Sequence, residues 1–137
     1  MNLNHELLQY FPCVEEIEWA IEAAKEFSTK LNIPIAATMC IGPETDKNGV
    51  PTGECAVRMA RAGADIVGLN CKFGPNVMLK AMRKMKTALD EADLSPILMC
   101  QPLGFYTPEI TTGDGYLNLP ETFFGNLTSI LISLGLA

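Results

Sequence analysis

Four short apolar runs punctuate the first hundred residues: Leu7–Phe11, Ile35–Cys40, Ile66–Cys71 and Ile97–Cys100. Each is brief, aliphatic and closed by polar or glycine-bearing residues, the profile of a buried strand. Between the first two, Val14, Ile17, Ala20, Ile21, Ala24, Phe27 and Leu31 recur at spacings of three and four. That spacing predicts a helix with one apolar stripe, and Glu15, Glu18, Glu22, Lys25 and Glu26 fall mostly off it. Between the last two, Met78, Leu79, Met82, Met85, Leu89 and Ala92 repeat the pattern, with Lys80, Arg83, Lys84 and Lys86 largely on the other side. The methionines suit packing against a sheet, since an unbranched thioether fills irregular gaps. In the middle connection, Pro43–Gly53 reads as a loop and Glu54–Ala62 as a helix of about two and a half turns. Gly63 supplies its C-terminal cap.

The runs end at Phe11, Cys40, Cys71 and Cys100, at intervals of 29, 31 and 29 residues. A strand, a crossover helix and two loops occupy roughly thirty residues, so the repetition predicts a parallel α/β sheet with right-handed crossovers. A complete (β/α)8 barrel takes about 250 residues, which makes four units about half of one. A small doubly wound sheet fits the same period. In both, function belongs at the rim where the strands end. After Pro102 the pattern stops: Gly104–Pro120 reads as loop, with a tight turn at Gly113-Asp114-Gly115, and Thr122–Ala137 is apolar without a period.

Sixteen acidic against ten basic side chains give a net charge of −6, which offers nucleic acid or an anionic membrane no attraction. The longest apolar tract, Leu127–Ala137, is too short to span a bilayer. The start, Met1–Phe11, has no basic region followed by an apolar stretch, so no secretory signal is expected there. Five widely spaced cysteines without a Cys-x-x-Cys pair suit reduced thiols and a cytoplasmic location.

Cys40, Cys71 and Cys100 close three successive strands, and thiolates gathered on one rim would suit tetrahedral zinc. Against that, cysteine is also a small buried hydrophobe, and strand parity need not aim all three inward. The single histidine, His5, is expected at the surface, outside any triad. Glu44 and Asp46 after the second strand, and Glu15 and Glu16 after the first, read as solvated groups or helix N-terminal charges, not general bases. No glycine-rich phosphate loop is present.

Read as strings, several segments carry a resemblance. They are Ala36-Ala37-Thr38-Met39-Cys40-Ile41-Gly42-Pro43-Glu44, Gly49-Val50-Pro51, Gly53-Glu54-Cys55-Ala56-Val57-Arg58 and Gly68-Leu69-Asn70-Cys71-Lys72-Phe73. In order and spacing they resemble the homocysteine-binding barrel of the betaine–homocysteine S-methyltransferases, and the likeness runs from about Leu7 to Phe124. The resemblance implies an α/β fold, a partial (β/α)8 TIM barrel of about four βα units, roughly strands 4 to 7. It implies a zinc ion that holds the homocysteine sulfur as a thiolate, to which a methyl group passes from betaine to form methionine.

Through the same resemblance, Cys71 maps onto one zinc ligand, while the other two belong to a Gly-Gly-Cys-Cys-Gly run that this sequence does not contain. Cys40 and Cys100 map onto positions that are not ligands. Gln9-Tyr10 matches a Glu-Tyr pair that contacts the substrates: Tyr10 carries over, and Gln9 keeps hydrogen-bonding capacity without the negative charge. Residues 1–124 are thus expected to form part of a homocysteine-binding barrel domain and 125–137 a divergent tail, the whole being inactive as a truncated chain. Small-molecule partners, homocysteine and betaine, are implied, with homo-oligomerisation open for a full-length protein. Two other functions remain: a homocysteine methyltransferase using S-methylmethionine or a folate- and cobalamin-borne methyl group, and a degenerate barrel piece that only associates with an intact subunit.

Overall fold

Residues three and four apart share a face only in a helix, and alternate residues only in a strand, so the two periods predict where the chain changes state. The computed structural model of the protein describes residues 6–102, together with the backbone of 105–106 and 117–118. In chain order the elements are β1 (Glu6–Phe11), α1 (Val14–Leu31), β2 (Ile35–Met39), α2 (Thr52–Ala62), β3 (Ile66–Asn70), α3 (Pro75–Glu91) and β4 (Ile97–Gln101). The predicted alternation is present throughout.

The strands form one sheet in the order β1-β2-β3-β4, every pair parallel. A doubly wound sheet reverses its strand order at a switch point. No reversal occurs among the described strands, and α1 packs on α2 and α2 on α3, so these helices make one layer on one face. This singly wound arrangement is the one from which (β/α) barrels are built. Of the two architectures that the thirty-residue period allowed, the described strands are consistent with part of a (β/α) barrel.

Alternation along the strands sends Ile35, Ala37, Met39, Val67, Leu69 and Leu98 toward the helices, where they meet Val14, Ile17, Ile21, Met59, Met78, Met82, Met85 and Leu89 in one core. Each fully buried leucine or methionine contributes about 1.5–3 kcal/mol, so the contact between layers stabilises the helices more than their propensities do. Ala36 and Thr38 are also buried, but they lie on the opposite face of β2, outside this core.

Local details differ from the sequence reading, each for a physical reason. Only β2 and β3 are buried on both faces; β1 and β4 are half exposed because, among the described residues, each pairs on one side only. Of the predicted α1 stripe, Val14, Ile17 and Ile21 are buried, whereas Phe27 is 59% and Leu31 65% exposed. The flank of α1 that faces α2 carries Glu18, bonded to Arg58, and Phe27 lies about two and a half turns further on, pointing away from it.

The first turn of α2 begins at Thr52, two residues before the predicted start, and Gly63 caps its end in the left-handed region, φ 115°, as expected. Strands β2 and β3 stop at Met39 and Asn70, one residue short of Cys40 and Cys71. Within the expected loop Gly104–Pro120, β5 (Phe105–Tyr106) pairs antiparallel with β6 (Leu117–Asn118). The predicted Gly113-Asp114-Gly115 turn and the 125–137 tail lie outside the described residues.

Candidate functional site at the carboxyl rim of the sheet

The last residues of β1 do not keep step with β2. Leu8 pairs with Ala37 and Phe11 with Met39, so Gln9 and Tyr10 together stand opposite Thr38. This is a β-bulge, a device that re-aims side chains at the end of a strand. Tyr10 takes a φ of 74° there, uncommon for a residue with a side chain. Its N–H donates to the side-chain oxygen of Asn70 at 3.2 Å, and Asn70 is buried. Strand β2 lies between β1 and β3, so this bond bridges from one to the other past it. The Tyr10 side chain is 66% exposed and Gln9 is exposed beside it, free to meet a ligand.

One residue beyond Asn70 the chain turns sharply. Cys71 and Lys72 have φ of 56° and 61°, and the N–H of Phe73 donates to the carbonyl of Cys71 at 2.7 Å. A three-residue turn with its central residue in the left-handed region is rare and strained. Non-glycine residues held there cost about 1–3 kcal/mol each, and such strain gathers at functional sites. The turn is anchored by the Cys71 N–H, which donates to the carbonyl of Gln101 on β4 at 2.9 Å. Thus Cys71 and the Gln9-Tyr10 pair, far apart in sequence, meet through Asn70.

Cys40 lies near enough to Cys71 to feel its charge, but Cys100 does not join them. Cys100 pairs in register with Leu69, which puts it on the helix face, and its Sγ lies 3.9 Å from Met78 Sδ on α3. Burial pushes its thiol up to about 11 and that of Cys55 up to about 12; it also raises those of Cys13 and Cys40. A site built from Cys40, Cys71 and Cys100 is therefore not formed, the parity of β4 having turned Cys100 away. Among the described residues no group of three or more His, Cys, Asp and Glu side chains is placed to hold a metal ion. Catalytic zinc takes about three protein ligands. The described residues supply one thiol at the expected turn, so they do not complete a zinc site by themselves.

The carboxylates near the rim are occupied structurally. Asp46 is buried, and its carboxylate accepts from the backbone N–H of Val14, Asn48 and Val50 at 2.8–2.9 Å, capping α1 from another loop. Glu44 pairs with Lys84 at 3.0 Å. The carboxyl of Glu15 is lowered by a bond from its own backbone N–H, by Asn48 and by Arg58. A cleft of about 370 Å³ opens beside these groups, lined by Pro12, Cys40, Asp46, Lys47, Lys72 and Phe73 among others, but not by Gln9, Tyr10 or Cys71. His5 lies outside the described residues.

Two residues at the rim have no role in the sequence reading: Asn70, which clasps the bulge, and Thr38, which faces it. The Asn70-Cys71 string held a signal for the first. Nothing local marks the second, because its role depends on a neighbouring strand.

A profile of the homocysteine S-methyltransferase family matches residues 5–132, running past the boundary expected at residue 124. The S-methylmethionine–homocysteine S-methyltransferase BHMT2 of Rattus norvegicus is 49% identical over 124 residues, covering 90% of this chain and 33% of the relative. The betaine–homocysteine S-methyltransferase 1 of Mus musculus is also 49% identical, over 90% of this chain and 29% of its own length. That of Sus scrofa is 47% identical, over 90% of this chain and 43% of its own. The chain thus spans about a third of the length of the curated relatives it matches. Among the described residues, no helix is long and apolar enough to cross a membrane.

Proposed function

Because this chain belongs to the homocysteine S-methyltransferase family, we propose that it forms strands 4 to 7 of a (β/α)8 barrel that transfers a methyl group from betaine to the sulfur of homocysteine. In this reading residues 1–124 are the barrel segment and 125–137 a separate tail, in a cytoplasmic protein. Cys71 is one of three zinc thiolates, the other two lying on a strand outside this segment. Gln9 and Tyr10 contact the substrates. The observation that carries the reading is the bond from Tyr10 N–H to Asn70, which ties the substrate-contact bulge to the residue before the ligand cysteine.

Within this segment the protein's work is positional. The bulge presents the Tyr10 ring to the site, and the strained Cys71-Lys72 turn holds the Cys71 thiol at the rim. The amide of Gln9 offers two donors and an acceptor to an amino acid, but no charge to pair with its ammonium group. Homocysteine binding is therefore weaker than with a carboxylate at that position.

A second reading has S-methylmethionine as donor, since the rat relative named for that donor is as similar as the mouse relative named for betaine. The test is methionine formation by a complete barrel in which residues 7–124 replace the matching segment of the rat protein. Both donors are supplied separately, with loss of homocysteine followed in parallel. Relative to the unaltered rat protein, a shift of turnover toward betaine supports the first reading, and an unchanged preference for S-methylmethionine replaces it with the second. No turnover with either overturns both.

A further inference from the structure

The hydroxyl of Thr38 is fully buried, and among the described residues it is the one buried side-chain polar atom without a hydrogen-bond partner. A threonine in a strand usually shares its hydroxyl with a neighbour, because leaving it unpaired in a dry site is costly. The cost calls for a compensating role, and the position of Thr38 indicates one. It stands opposite both Gln9 and Tyr10 in the bulge of β1 and pairs on its other side with Gly68, which has no side chain to offer. Alternation puts it on the face of β2 away from the helices, outside the hydrophobic core.

We infer that Thr38 is a substrate-binding residue: its Oγ accepts a hydrogen bond from the ammonium group of the homocysteine that Gln9 and Tyr10 contact. This rests on the proposed function and adds a named contact to it. A hydroxyl both donates and accepts, so the assignment to the ammonium comes from the neighbour. Gln9 cannot neutralise an ammonium group, and further neutral acceptors are what such a group then requires. The unpaired hydroxyl is an acceptor on the strand directly beside it; because it is fully enclosed in the ligand-free chain, the side chains that cover it must move aside for the ammonium group to reach it.

The test uses the complete barrel described above and the 137-residue chain, each with Thr38→Val, which keeps the shape, and Thr38→Ser, which keeps the hydroxyl. Two acceptors are compared: homocysteine, and 4-mercaptobutyrate, which is homocysteine without its amino group. Thr38→Val should raise KM for homocysteine by about tenfold, the loss of one hydrogen bond to a charged group. It should leave kcat and zinc content unchanged and KM for 4-mercaptobutyrate within twofold. Thr38→Ser should restore the parent values. Without ligand, Thr38→Val should be at least as stable as the parent, since it removes an unsatisfied group. Equal effects on both acceptors, or a KM unchanged for both, would overturn the inference while leaving the methyltransferase reading intact. A fall in the ligand-free thermal midpoint of either protein would also overturn it, because the hydroxyl would then have a structural partner. A parent barrel without transfer from either donor would instead sink the reading on which the inference rests.

Discussion

At the scale of single residues, burial decides which cysteines are chemically available. Cys55 is fully buried inside the helix–sheet core, and its thiol is pushed from near 9 up to about 12. A thiol whose folded pKa lies above its unfolded value leaves stability intact below the unfolded pKa. The unfolded state then ionises first, so stability declines as pH rises from about 9 towards 12. Urea unfolding across that range should give a steeper decline for the parent than for Cys55→Ala, and parallel curves would contradict the assignment. The residue scale is also where sequence reading reached least far. Cys40, Cys71 and Cys100 look equivalent as strand-ending thiols, yet register with Leu69 turns Cys100 toward α3. Parity is a property of pairing, and the string contains no pairing.

At the scale of elements, most of the fold was legible. Spacings of three and four mark α1 and α3 to within three residues, and the regular interval between strand ends marks a parallel sheet before any contact is known. Features made by two elements at once were not. Phe27 and Leu31 satisfy the helical period and are still exposed, because the flank they occupy has no neighbour among the described residues. The bulge at Gln9-Tyr10 breaks the period of two within a run too short to reveal it. The start of α1 has no side-chain cap of its own at Cys13; the bond to Val14 N–H comes from Asp46, 32 residues away. Asp46→Ala removes an acceptor from three backbone N–H groups and should cost about 2–4 kcal/mol, read as a lower urea midpoint. Asp46→Asn, which keeps one acceptor oxygen, should lose less.

At the scale of the whole molecule, the segment brings together the cysteine proposed as a zinc ligand and the pair proposed to contact the substrates, and the described residues gather no group of three or more His, Cys, Asp and Glu side chains that could hold a metal ion. The 137-residue chain alone should therefore form no methionine from betaine and homocysteine above a protein-free control. Product that disappears on Cys71→Ala would refute this. The central claim is that the strained turn after β3 carries the metal thiolate and that the other strand-end cysteines are packing residues. Zinc content of the complete barrel, measured per chain after gel filtration, tests it most directly. Cys71→Ser should remove most of the bound zinc, because a serine hydroxyl stays protonated where a thiolate is required. Cys40→Ser and Cys100→Ser should keep about one zinc per chain, since on the proposed reading neither thiol coordinates the metal. Zinc lost equally from the Cys40 or Cys100 variant, or retained by Cys71→Ser, would contradict the account.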